Sequence, residues 1–143
     1  MRANEGTRTA HYAWRLRPLK GSSLYVYVVV FDRMDAMRRY AVLTSPKGYR
    51  LGNRKLGAFC TTPARRERRV ASVVFCRKHI GGGLVSHEMT HAAVSWGTRQ
   101  GWNWSHLGCI DGAIPKGASE EMLAEVVGEL TRQFYLRCEK VGL

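Results

Sequence analysis

Cysteine is scarce in this 143-residue chain, and its four copies are widely spaced. They stand at Cys60, Cys76, Cys109 and Cys138, so the sequence has no C-x-x-C pair. That spacing argues against a zinc site built from four cysteines. Nothing else in the sequence suggests secretion, and we therefore expect free thiols in a cytoplasmic protein.

Long hydrophobic runs are also missing. The apolar stretch from Leu24 to Phe31 is only eight residues long and is followed by Asp32 and Arg33, which is too short to span a bilayer. Residues 1 to 20 are polar and basic, without the apolar core of a signal peptide. We therefore expect no membrane partner.

Acidic residues are few. The chain has 11 Asp and Glu against 23 Lys and Arg, which gives a formal charge of +12 and a pI of about 10.2. Such a surface is suited to an anionic partner, and nucleic acid is one candidate. The plainer interpretation is that the excess charge keeps a small protein soluble.

The length and the hydrophobic content of 45% predict one folded domain with a modest core. We expect a basic N-terminal arm or short strand over residues 1–20 and a single domain over residues 21–143. Strand-like segments come first and helical segments later, which predicts an α+β fold. The strands are expected at His11–Leu16, Leu24–Phe31, Leu56–Thr61 and Val70–Phe75, with a short helix at Met34–Tyr40.

The most informative stretch is His87-Glu88-Met89-Thr90-His91. On a helix, residues four apart share one face, so His87 and His91 could bind one zinc ion. Glu88 lies beside them and could take a proton from zinc-bound water. This is the H-E-x-x-H pattern of metalloproteases, and it predicts zinc-dependent hydrolysis of peptide bonds with Glu88 as general base.

The surrounding sequence favours a helix at this motif. Three glycines at 81–83 precede it, apolar residues surround it up to Trp96, and Gly97 offers a stop. The alternative is a chance match on an amphipathic helix, in which the histidines bond to neighbouring carbonyls.

A catalytic zinc normally takes three protein ligands. Downstream of His91, Glu121 could bind the metal, while Glu125, one turn later on a helix predicted from Ser119 to Glu139, could orient a ligating histidine. His106 is the rival third ligand, on the connection between the two helices. Position 97 is Gly97, so the metzincin pattern with a third histidine there is excluded.

The motif followed by Glu120-Glu121-Met122-Leu123-Ala124-Glu125 resembles the gluzincin branch of the zincin peptidases. Residues 70 to 143, with "SHEMTHAA" and then "EE…A…VGELT", are similar to small zincins encoded by phages and related mobile elements. The resemblance implies a small zincin-like domain, with a mostly antiparallel sheet packed on the H-E-x-x-H helix and a C-terminal ligand helix. It also implies His87, His91 and Glu121 as zinc ligands, Glu88 as the base and Glu125 as a supporting residue. Glu120 is the adjacent alternative to Glu121.

The string "HEMTHA" also resembles the DNA-associated SprT-type proteases, in which a later histidine is the third ligand. His106 would take that role, although it lacks the usual Gly-His-Gly neighbourhood and the chain lacks zinc-ribbon cysteines. Two functions thus stand beside the zinc peptidase with a protein or peptide substrate. One is the SprT-like protease, and the other is a basic module that binds nucleic acid or protein, with a structural zinc or none.

Overall fold

The computed structural model describes residues 10–44, 57–63, 66–101 and 120–143, and every structural statement below refers to these ranges. They contain four strands, β1 (Ala10–Leu16), β2 (Tyr25–Phe31), β3 (Ala58–Thr61) and β4 (Arg69–Cys76). Three α-helices accompany them: α1 (Met34–Thr44), α2 (Gly82–Arg99) and α3 (Glu120–Val141). A short 3-10 turn, Arg77–His79, links β4 to α2.

The strands form one mixed sheet in the order β1-β2-β4-β3. Both outer pairings are antiparallel, and the register places Arg15 opposite Tyr27 and Thr61 opposite Ser72. The central pairing of β2 with β4 is parallel, because the chain passes through α1 and β3 between them. The α+β prediction is confirmed at this level, and the parallel centre is a feature that the sequence did not predict.

The sheet has an apolar layer on each side. One side packs against α2 and α3 and holds the larger cluster of buried residues, which includes Val28, Phe75, Met89 and Phe134. The other side packs against α1 and holds a smaller cluster that includes Val29, Phe31 and Met37. The alternation of side chains along β2 explains this division, since Val26, Val28 and Val30 face one side and Val29 and Phe31 the other.

The predicted strands and the helix at Met34–Tyr40 are present with small shifts at their ends. The short strand predicted near the N-terminus is β1, which pairs with β2; residues 1–9 lie outside the described ranges, and the division at residue 20 stays a prediction.

The expected stop of the motif helix at Gly97 is wrong, because α2 continues to Arg99. Gly97 is buried in the middle of the last turns. The glycine that ends the helix is Gly101, whose φ of +82° is in the left-handed region that favours glycine.

No helix in the described part of the chain is both long enough and apolar enough to cross a membrane.

Candidate metal centre

The two motif histidines come together on the exposed face of α2. Their Nε2 atoms lie 3.2 Å apart, and the ring centroids are separated by 4.8 Å. Both side chains are exposed, although α2 packs its opposite face into the larger core cluster. The prediction that His87 and His91 share one face of a helix is confirmed.

The distance between the two nitrogens matches the requirement of a single metal ion. Two nitrogens bound to one tetrahedral zinc at about 2.05 Å each lie about 3.3 Å apart. A separation of 3.2 Å also permits one neutral imidazole to donate its Nε2–H to the other. When both Nε2 atoms are unprotonated, their separation fits His87 and His91 as two ligands of zinc.

Hydroxyl side chains on the polar face of α2 donate hydrogen bonds to backbone carbonyls of the same helix. Thr90 Oγ1 donates to the carbonyl of Ser86 at 2.7 Å, and Ser95 Oγ donates to the carbonyl of His91 at 3.0 Å. Thr98 Oγ1 donates to the carbonyl of Val94 at 2.9 Å. Among the described residues, the hydrogen-bond partner of each imidazole is the other imidazole. The zinc site and the chance match both stay predictions, because helix spacing alone brings the two rings together.

Glu88 is one of only two polar residues in the described chain that are buried, with 6% of its surface exposed. It follows His87 on α2, so its side chain leaves the helix about 100° around the axis from that of His87. Burial raises the pKa of the Glu88 carboxyl, and the neighbouring imidazoles of His87 and His91 act in the opposite direction. A buried carboxyl beside two imidazoles is an arrangement that can accept and return a proton.

The edge strand β3 lies next to Glu88. Burial, with a smaller contribution from the Glu88 carboxyl, raises the pKa of the Cys60 thiol to about 12. Gly57, just before β3, lies close to His79, shortly before α2. A Cβ added to Gly57 would lie only 2.8 Å from the Cβ of His79. Strand β4, which contains the predicted strand Val70–Phe75, is an inner strand between β2 and β3. The edge beside the motif is therefore β3, and β4 has no open edge to offer a substrate.

The third predicted ligand is not brought to the histidines in the described part of the chain. Within it, no three His, Cys, Asp or Glu side chains form a group that could hold a metal. Glu121 and Glu125 lie on α3, which packs beside α2, and both are exposed. His106 and the side chain of Glu120 lie outside the described residues. The choice among Glu121, Glu120 and His106 stays a prediction, as does the supporting role of Glu125.

Comparison of the chain with known protein families, characterised proteins and solved structures finds no significant match.

Proposed function

We propose that this protein is a zinc-dependent peptidase in which His87 and His91 bind the metal and Glu88 is the general base. The observation that carries the proposal is the 3.2 Å separation of the two Nε2 atoms on an exposed helix face. The buried carboxyl of Glu88 on the same turn supports it, because a structural zinc site would need no such acid.

Zinc, when bound, supplies a Lewis acid that polarises the scissile carbonyl and makes water acidic enough to ionise near neutral pH. The rest of the chemistry belongs to the protein. Glu88 takes the proton from the attacking water and delivers it to the leaving amine. Burial of Glu88 restricts the motion of its carboxyl beside the imidazoles of His87 and His91.

Glu121 is our preferred third ligand, with Glu125 one turn further along α3 to support the site. The packing of α3 beside α2 supports this choice, because it brings the helix that carries both glutamates next to the helix that carries the histidines. His106 is the alternative ligand. The substrate class is a protein or peptide.

The first experiment measures zinc per chain by elemental analysis after reconstitution and removal of loose metal. We expect about one zinc in the wild type and loss of zinc in His87→Ala and His91→Ala. Loss in Glu121→Ala but not in His106→Ala selects the glutamate, and the reverse selects the histidine. His79→Ala and Glu139→Ala are matched controls, since each removes the same kind of side chain from an exposed position. A wild type without zinc contradicts the proposal.

The second experiment measures cleavage of a fluorescently labelled unfolded protein. Glu88→Gln keeps the size and the hydrogen-bonding capacity of the side chain but cannot accept the proton. We expect it to retain zinc and to lose activity by roughly a hundredfold or more. Activity in Glu88→Gln equal to that of the wild type would disprove the assigned mechanism.

A further inference from the structure

A second surface of interest lies on the opposite side of the sheet from the histidines. The apolar cluster under α1 occupies the end of the sheet that contains Val29, Phe31 and Val74. At the other end of the same side lie Arg15 of β1, Tyr25 and Tyr27 of β2, and Arg69 of β4. The register places them together, since Arg15 is opposite Tyr27 and Tyr25 is paired with Arg69. We call these four residues and Arg68 the tyrosine–arginine surface.

The aromatic rings of this surface are partly exposed. Tyr25 and Tyr27 are two residues apart on β2, so they face the same side, and both are only half-buried. The guanidinium carbon of Arg15 lies 4.7 Å from the centroid of the Tyr25 ring. This is the geometry of a cation–π contact. The surface thus presents flat groups and positive charge at the same place.

The segment of residues 66–69, which contains three arginines, lies beside these rings. The backbone N–H of Tyr25 donates to the carbonyl of Arg68 at 2.9 Å, which ties the segment to the start of β2. Arg66 and Arg68 are exposed, while Arg69 donates from its Nε to Glu67 at 2.9 Å. Glu67 therefore neutralises one arginine of the segment, and the surface keeps a positive charge from Arg15 and Arg68.

The charge of the protein is unevenly distributed along its chain. Helix α3 has five glutamates and three cations, which gives it a net charge of −2. Because the whole chain carries +12, the residues outside α3 carry +14. Residues 10–31, which form β1, β2 and their connection, contain three cations (Arg15, Arg17 and Lys20) and no carboxylate. An anionic chain would therefore be attracted to the β1–β2 side of the molecule and not to α3.

We propose that the tyrosine–arginine surface binds single-stranded nucleic acid. Cations along a surface contact the phosphates, and bases that are not paired can stack on tyrosine rings or on a guanidinium plane. A duplex offers the phosphates but keeps its bases stacked inside, and an acidic peptide offers charge without flat rings. The combination of two partly exposed tyrosines with clustered arginines thus favours the single strand. This binding is independent of the zinc centre, which lies on the other side of the sheet.

The test is fluorescence anisotropy of the full chain with a labelled oligothymidylate and with a duplex of equal length. We expect tighter binding of the single strand and a salt dependence that reflects several phosphate contacts. Tyr25→Leu should weaken binding of the single strand by roughly tenfold, while Tyr25→Phe, which keeps the ring, should bind nearly as the wild type does. Arg15→Gln should lower the slope of log affinity against log salt by about 0.7.

Matched controls lie on α3. Tyr135→Leu and Arg137→Gln remove the same side chains from exposed positions of that helix and should leave binding unchanged. Circular dichroism of each variant reports the fold, and Arg15→Gln, an exposed position, tests the surface even if Tyr25→Leu unfolds. Equal affinity for strand and duplex, or competition by polyglutamate as strong as that by the oligonucleotide, would overturn the proposal. Equal losses in the α3 controls would also do so. His87→Ala should lose zinc and retain binding, so the two proposals fail separately.

Discussion

The two sides of the sheet differ in how completely helices cover them. On one side the strands, α2 and α3 together form a cluster of 18 buried residues. On the other side α1 encloses eight, and one end of the sheet is left with half-buried tyrosines and exposed arginines. The first side has the depth needed to bury a carboxyl such as Glu88, whereas the second has the open, charged area that a polymer can lie on.

The two candidate sites differ in the elements that supply their residues. The two histidines come from one helix whose buried face is fixed by Val85, Met89 and Ala92. A metal centre needs such rigidity, because its ligands bind only within a narrow range of distances from the metal. The tyrosine–arginine surface draws instead on three strands, and stacking on bases tolerates variable geometry.

The largest effect should come from matched truncations in the two clusters. Met89 and Met37 are both fully buried, the first in the cluster of α2 and α3 and the second under α1. We expect Met89→Ala to lower the free energy of unfolding by about 4 kcal/mol and Met37→Ala by about 2 kcal/mol. A single helix over a small cluster can move to fill a cavity more easily than two packed helices can. Urea unfolding with a constant m-value measures both, and equal losses would contradict the difference in rigidity.

The next largest effect should be the stability that the native state gains when zinc binds. We expect this gain to depend on the histidines and not on the tyrosine–arginine surface. At a free zinc concentration 100 times its dissociation constant, binding to the native state should add about 2.7 kcal/mol to the stability. A chelator should remove this gain in the wild type and in Tyr25→Leu. His87→Ala should show no gain at all. Thermal unfolding with and without zinc checks the prediction, and a gain of the same size in His87→Ala would show that zinc binds elsewhere.

Alkaline pH should weaken the fold through the buried thiols. Burial raises the pKa of Cys60 to about 12 and that of Cys138 to about 11, from an ordinary value of 9.0. Below pH 9 the thiols are neutral in both states, and this contribution is fully present. Above pH 9 the unfolded state loses protons that the folded state keeps, so stability falls by about 1 kcal/mol per pH unit and per thiol until the folded pKa is reached. Cys60→Ala should flatten the pH dependence between pH 9 and 12, and an unchanged slope would count against burial of the thiol.

The smallest effect should come from the contact between α3 and the edge strand β1. The side chain of Gln133 accepts from the backbone N–H of Arg17 at 3.0 Å and donates to its carbonyl at 2.9 Å. Gln133 thus takes the place of a neighbouring strand at that point. Gln133→Ala should lower stability by about 1 kcal/mol, since the freed backbone groups are exposed and can bind water. A loss above the one in Met37→Ala would mean that β1 depends on this contact more than on its pairing with β2.

Local features of the chain could be predicted from the sequence. His87 and His91 are four residues apart, and helix geometry alone brings their rings together. Strand β2 was predictable because its valines and aromatic residues are contiguous. The end of α2 was missed, since both Gly97 and Gly101 are plausible stops and only the backbone conformation distinguishes them.

Features that depend on distant parts of the chain could not be predicted in the same way. That β4 is an inner strand follows from its pairing with both β2 and β3, whose register no local pattern fixes. The proximity of Cys60 to Glu88 has the same origin. The third ligand is also a long-range question, because Glu121 is separated from His91 by the connection between the helices, and its position depends on how α3 packs on α2.

The parallel pairing at the centre of the sheet has a consequence for the order of folding events. It joins residues such as Phe31 and Cys76, which are 45 positions apart in the chain, whereas β1 and β2 can form a hairpin from neighbouring residues. Closing the longer loop is the slower step. Helix α2 follows β4 after a short 3-10 turn. We expect it to dock on the completed sheet, so that the two histidines acquire their support only after this closure. We therefore expect zinc to bind late during refolding, and to slow unfolding more than it speeds folding.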